Sequence, residues 1–469
     1  MRFLLLLAAL CLGGVALANT PLPQIEQAIS DELPASGAPG IAYTAVRDGE
    51  FFSGARGEAL AGSGRAITPD TPVLLGSISK SFTAVAVMQL AESGDVDLDD
   101  PVSRYLQAFA RGPGRDVTLR QLLSHTSGYS TGQGNQVRRD ALRTTDEVRQ
   151  YVEGIAQWEL AHQPGTQWEY SNANYQILGA LVEEVSGMDY AAYVEGRILA
   201  PLGMTSSFVS DGGVYPDMAT GHRPWFFGKR AMPENRTDLF NAAAGGVVAS
   251  ANDLALYLAA MMNGQDDIIS GQSKSLMMEP ASDNSPFYGL GWFLDTEQGT
   301  AFHTGSTPGV ETLATLLPES REAAVVLVNA GSGIGFGETR QLRNAVSAAA
   351  LGLPYFGESS RIQQKALYVG LCLMPLAFLL SIWWALRHRS QLRAKSGAFG
   401  MFSLWFPLAM MAAITALYLI LLPRLFDVSL GTLASFQPDL ALLMQAAIIT
   451  GLGWAILRLI LAYTKPKTG

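Results

Sequence analysis

Ser77 and Lys80 stand three residues apart in Gly76-Ser-Ile-Ser-Lys80 and open an apolar stretch that includes Phe82, Val85, Ala86, Val87 and Leu90. If that stretch is a helix, positions i and i+3 share a face and the two side chains can meet. A serine hydroxyl is a weak nucleophile until a neighbour takes its proton. A lysine can do so once desolvation or nearby charge lowers its pKa. The helix N-terminus adds backbone N–H groups and a positive dipole end that suit a developing oxyanion. Alone, the pair says little: about one Ser-x-x-Lys is expected by chance in a chain this long. Its plain structural reading is a helix-capping serine beside a solvated lysine.

Two further segments change the balance. Tyr170-Ser-Asn172 follows Pro164-Gly165 and precedes an apolar helix, and His303-Thr304-Gly305-Ser306 lies on a predicted strand. The order Ser-x-x-Lys, Tyr-x-Asn, His-Thr-Gly resembles the penicillin-recognising serine hydrolases, in the branch of class C β-lactamases, DD-carboxypeptidases, D-aminopeptidases and related esterases. Leu122–Gly128 (LLSHTSG), Pro164–Tyr175 (PGTQWEYSNANY) and Ala244–Asp253 (AGGVVASAND) add to the resemblance, which covers roughly residues 25–350.

The resemblance implies that Ser77 is acylated, Lys80 accepts its proton, and Tyr170 relays protons to the leaving group. It also implies that Asn172 binds Lys80 and a substrate amide, and that the 303–306 strand binds substrate. The backbone N–H groups of Ser77 and Ser306 would form the oxyanion hole. For Tyr170 to work as a relay, cations such as Lys80 should lower its pKa or share its proton. His303 departs from the lysine found there in many relatives. A neutral imidazole carries no fixed charge for a substrate carboxylate, so weak or no β-lactamase activity is expected and peptidase or esterase activity stays open. His125 reads as structural, and Gln136 as a contact for a substrate amide.

These residues need a scaffold. Residues 41–47 alternate apolar and polar, and Asp48-Gly49 turns them into Phe51-Phe52, a hairpin signal. Near residue 350 the pattern resumes, with strands expected over 288–294, 301–304, 313–317 and 323–328 and a helix over 338–351. Helices are expected between, over 79–93, 145–160, 174–187, 189–199 and 252–263. This is an α/β pattern: a β-lactamase/transpeptidase-like antiparallel sheet shared by the two ends of the domain, flanked by helices, with a helical subdomain. The Gly-, Pro- and aromatic-rich segment 205–240 reads as a long excursion and a lid. Its Trp225-Phe-Phe227 run suits either the cleft or a membrane interface.

The chain's ends explain its composition. Of 469 residues, 48% are hydrophobic and only 16% charged, against ~25% charged in soluble proteins. Met1-Arg2, an apolar run and Ala16-Leu-Ala18 form a signal peptide over 1–18, followed by a hydrolase domain over 19–358. Three apolar runs, 366–386, 403–423 and 440–463, are each long enough to span a bilayer. The first inter-span loop is basic (Arg387, Arg389, Arg393, Lys395), as is the tail (Lys465, Lys467). Positive-inside orientation therefore puts both in the cytoplasm and the catalytic domain outside the cell membrane. Residues 361–469 carry net charge +8 and residues 1–360 carry −17.

The acidic domain argues against nucleic acid as a partner. Scattered histidines and cysteines only at Cys11 and Cys372 argue against a metal or cofactor. The expected partners are the membrane and a small-molecule or peptide substrate, with a D-amino-acid-containing cell-wall peptide implied by the resemblance. The sequence carries no signal for oligomeric state. A penicillin-binding sensor is the alternative, although the loop at 387–400 and the tail are short for an effector. A transporter is disfavoured because the spans lack interior acidic or paired charge.

Overall fold

The computed structural model describes residues 22–135, 144–357 and 361–464. The expected signal segment and Gln136 lie outside them. A six-stranded antiparallel sheet forms the centre of the domain. Its strands are β1 (Gly40–Arg47), β2 (Glu50–Gly57), β3 (Phe293–Asp295), β4 (Thr300–Thr307), β5 (Val310–Leu317) and β6 (Glu322–Val328), in the order β2-β1-β6-β5-β4-β3. The two ends of the domain meet where β1 pairs with β6, with Ile41 opposite Val328 and Val46 opposite Ala323. Asp48 and Gly49 turn β1 into β2, both at positive φ as a two-residue hairpin requires.

Strand alternation sends Ile41, Tyr43 and Ala45 to one face, where they pack with Ile25 and Ile29 of helix α1 (Pro23–Ser36). Ala42 and Val46 point the other way, into the larger core. That core holds α2 (Ser79–Glu92), α3 (Asn172–Ser186) and α4 (Ala251–Met262). Every residue of α2 from Ser79 to Met88 is buried, so this helix is enclosed by protein and has no solvent face along its first turns. The strand expected over 288–294 shrinks to Phe293–Asp295. Gly289 and Gly291 explain why: a Cβ on Gly289 would lie 2.3 Å from the Met277 carbonyl oxygen, and Gly291 adopts φ +84°. Segment 205–240 forms a small hairpin, His222–Trp225 with Gly228–Ala231.

Helix α5 (Thr339–Leu351) closes the α1 face and supplies an ion pair beneath β5. Arg343 Nη1 donates to Glu311 Oε2 at 2.8 Å, both side chains being 5% exposed, and the other Glu311 oxygen accepts from Ser306 Oγ at 3.1 Å. The pair thus ties α5 to the residue at the end of the His-Thr-Gly-Ser segment.

Beyond the domain run α6 (Ile362–Arg387), α7 (Gly397–Leu425), α8 (Leu430–Phe436) and α9 (Pro438–Tyr463). Helices α6, α7 and α9 are long and apolar enough to cross a membrane, with mean hydropathy of 2.1, 2.1 and 2.0. They leave large apolar side chains such as Leu367, Leu380, Phe399 and Ile449 exposed, as a lipid-facing surface does.

Removing one partner of a buried ion pair strands the other charge. Arg343→Leu should therefore destabilise the domain by about 3–5 kcal/mol. The expected readout is a clear drop in thermal midpoint of the detergent-solubilised full chain, largely restored when Glu311→Leu is added.

Candidate active site

Ser77 sits in the single 3₁₀ turn Gly76–Ile78 that leads into α2, which places Lys80 in the first α-helical turn. Gly76 holds φ +59°, and a Cβ there would lie 3.0 Å from the Ser306 amide nitrogen. From the other side, a Cβ on Gly305 would lie 1.8 Å from the Leu75 carbonyl oxygen. Two glycines therefore let the serine turn press against β4 at Ser306.

Lys80 is fully buried, and its side-chain nitrogen has no carboxylate partner among the described residues. Nζ lies 2.6 Å from the Ala244 carbonyl oxygen, 2.8 Å from Asn172 Oδ1 and 3.2 Å from Ser77 Oγ. Burial pushes its pKa well below that of an ordinary lysine. A neutral amine has two hydrogens and one lone pair. Ala244 O and Asn172 Oδ1 can only accept, so they take the two hydrogens, and the lone pair is left for the Ser77 hydroxyl. The orientation of Asn172 is fixed in turn, because its Nδ2 donates to Asn135 Oδ1 at 2.8 Å.

Tyr170 faces Ser77 and engages it in a hydrogen bond. Its ring centroid lies 4.9 Å from Lys80 Nζ, yet its pKa is raised, because burial outweighs the hydrogen bond to Ser77. The expectation that Lys80 would lower it is not met, because desolvation of the buried phenol is the larger effect. Tyr170 is accordingly a protonated phenol, a donor rather than a base.

The His303-to-Ser306 strand divides in two. Ser306 and its neighbour Thr307 line the cleft together with Ser77, Tyr170 and Asn172, whereas His303, Thr304 and Gly305 do not. His303 is 1% exposed and turned into an aromatic cluster, 5.3 Å from Phe293 and 6.3 Å from Tyr170 between ring centroids. Its Nδ1 donates to the Thr304 carbonyl oxygen at 2.8 Å, and its Nε2 therefore accepts from the Tyr288 hydroxyl at 3.2 Å. Burial, with Lys80 nearby, lowers its pKa to about 3. It is a neutral, satisfied imidazole behind Tyr170, and alternation along β4 is what sends it there.

His125 is a positioning residue whose link to Tyr170 the sequence did not reveal. It adopts φ +60°, rare for a non-glycine residue, and its ring lies 4.3 Å from that of Tyr170. Nδ1 accepts from the Ser171 amide at 3.1 Å and from Asn174 Nδ2 at 3.0 Å, which puts the ring proton on Nε2. One imidazole thus fixes the backbone between Tyr170 and Asn172.

The cleft has a volume of about 580 Å³. Met218, Met232, Glu234, Arg236 and Phe240, all from the 205–240 segment, form one wall. Thr432, Ser435 and Phe436 of α8 form part of another. Reading the sequence missed the α8 residues because the charge pattern marks 424–439 only as an inter-span loop.

Comparison with known proteins agrees with this fold. Residues 25–349 match the family model described as Beta-lactamase. The protein flp of Staphylococcus aureus (strain N315) is 26% identical over 428 residues, covering 87% of this chain and 84% of that protein, a share that extends beyond the family-matched residues. The octameric penicillin-binding protein homologue from Pyrococcus abyssi superposes with a TM-score of 0.60 at 28% identity, covering 70% of this chain and 77% of that one. A D-stereospecific amidohydrolase from Streptomyces sp. superposes with a TM-score of 0.57 at 25% identity, covering 71% and 99%. With its serine, lysine, tyrosine and asparagine gathered on this scaffold, the chain belongs to the Beta-lactamase family of serine hydrolases.

Proposed function

We propose that the protein is a membrane-anchored serine hydrolase that cleaves an amide or ester through an acyl-enzyme, with a D-amino-acid-containing cell-wall peptide as its substrate class. The observation that carries this reading is the Ser77 hydroxyl lying 3.2 Å from Nζ of the fully buried Lys80, whose pKa burial pushes well below that of an ordinary lysine. Ser77 Oγ attacks the substrate carbonyl carbon and its proton passes to Lys80 Nζ. The oxyanion is held by the amides of Ser77 and Ser306. Collapse breaks the bond to the leaving amine or alcohol, which takes the Tyr170 phenol proton, and Lys80 reprotonates Tyr170. Water then attacks the ester carbonyl, returns a proton to Ser77 and releases the acid. Asn172 positions Lys80 and the substrate amide, and the 303–305 segment supports Ser306 from behind.

The substrate class draws on the D-stereospecific amidohydrolase among the similar structures. With His303 neutral and turned away, the cleft has no fixed cation at that position for a substrate carboxylate, which favours peptidase or esterase over β-lactamase activity. The signal-peptide pattern and the basic flanks of the spans support export of residues 19–358 to the outer side of the cell membrane, with the C-terminus cytoplasmic.

A fluorescent fluorophosphonate should label the full chain at Ser77 and leave Ser77→Ala unlabelled, with the adduct located by peptide mass spectrometry. Labelling that persists at full strength in the variant would remove Ser77 as nucleophile.

The proton acceptor makes its own prediction. Lys80 acts as a base only when neutral, so the acylation rate should rise with pH through a single inflection below 10.5 and then level off. His303, already neutral above about 3, should add no step near pH 6.5. Lys80→Ala should lose about 10²–10⁴-fold in acylation rate and the inflection with it.

A further inference from the structure

The wall built by α8 has a consequence for the substrate. Helix α8 occupies residues 430–436, between a membrane helix that ends at Leu425 and another that begins at Pro438. It therefore lies at the membrane–water boundary, and Thr432, Ser435 and Phe436 face the cleft that holds Ser77. Polar ties on both sides of α8 hold it to the domain. The Gly132 amide donates to Asp427, and Thr432 Oγ1 donates to the Asn135 carbonyl oxygen at 3.2 Å. Gln437 Nε2 donates to the Ser332 carbonyl oxygen at 2.6 Å. Asp439, 2% exposed, accepts from the Phe226 amide at 2.8 Å and from the Tyr368 hydroxyl of α6. Asn135 is also the residue that orients Asn172, so the membrane region reaches the general base through Thr432, Asn135 and Asn172.

The same face of the domain carries Trp225, Phe226 and Phe227. Phe227 is 62% exposed and stands 6.1 Å from Tyr368 between ring centroids, at the start of α6. Arg230 lies 4.7 Å over the Trp225 ring. Aromatic and basic side chains together suit the headgroup layer of a bilayer. The apolar residues Phe436, Phe240, Met218 and Met232 line the cleft together with Ser77.

We propose that α8 makes the membrane region part of the substrate-binding site, and that the cleft takes an amide or ester carried on a lipid-anchored chain and presented at the bilayer surface, with Phe436 as the residue that selects for the chain. This deepens the hydrolase reading above and rests on it. It also gives the multi-span anchor a task, since a single span would leave no loop to complete the cleft.

The test uses the full chain in phosphatidylcholine vesicles and two probes, the 4-nitrophenyl esters of N-acetyl-D-alanine and N-palmitoyl-D-alanine. Each competes with a small fluorophosphonate for Ser77. The palmitoyl probe should halve labelling at a concentration at least tenfold below the acetyl probe, and Phe436→Asp should shrink that ratio at least fivefold. A palmitoyl probe carrying a diazirine in its chain should crosslink the wild-type protein within residues 430–436, a readout independent of how well the variant folds. Equal competition by the two probes, or crosslinks confined to residues outside that helix, overturns the proposal. Absence of fluorophosphonate labelling on the wild-type protein would instead sink the hydrolase reading itself.

Discussion

The site turns on one costly arrangement: an amine buried without a carboxylate. An ammonium group in the position of Lys80 would be desolvated with only two carbonyl oxygens and a hydroxyl to replace water. The fold relieves that cost by favouring the neutral amine, and the neutral amine is what Ser77 requires. Much of the surrounding structure serves this constraint. Helix α2 is enclosed from Ser79 to Met88, Ala244 comes from the short helical turn 242–245 packed against it, and Asn172 is held at its other end by Asn135. The same burial keeps Tyr170 protonated, so the acid and base of the proposed mechanism are separated by environment rather than by residue type alone.

Positioning residues form a second layer around this pair. His125, in a left-handed backbone conformation, accepts two N–H groups on either side of Asn172 and lies against the Tyr170 ring. The Arg343–Glu311 pair reaches Ser306 from the opposite face of the sheet. Ser306 is thus tied to α5, far along the chain from Ser77.

Sequence patterning revealed the sheet because residues 41–47 alternate and the later strands read as short apolar runs bounded by turn residues. The helices at 79–92 and 172–186 were legible from apolar spacing. Ser77, Lys80, Tyr170 and Asn172 stood out together by order and spacing. The orientation of His303 was not legible, because motif identity does not say which face of β4 a side chain takes. Neither was the direction of the Tyr170 shift, since it depends on desolvation of the buried phenol. The part played by Thr432, Ser435 and Phe436 was hidden for a different reason. Hydropathy shows where spans end but says nothing about what the loop between them touches.

The membrane helices and the catalytic domain share polar contacts as well as a covalent link. Asp439 and Gln437, at the start of α9, engage the 226 and 332–334 loops, and Asp427 engages Gly132. The anchor therefore helps to hold a wall of the cleft.

The central claim is that burial without a carboxylate among the described residues lowers the Lys80 pKa well below that of an ordinary lysine. The direct measurement is a ¹³C NMR titration of lysine side chains in the detergent-solubilised full chain, with Lys80→Arg used to assign the resonance. A Lys80 signal that titrates well below 10.5 is the predicted result. A Lys80 signal that stays charged up to pH 10 would contradict the account.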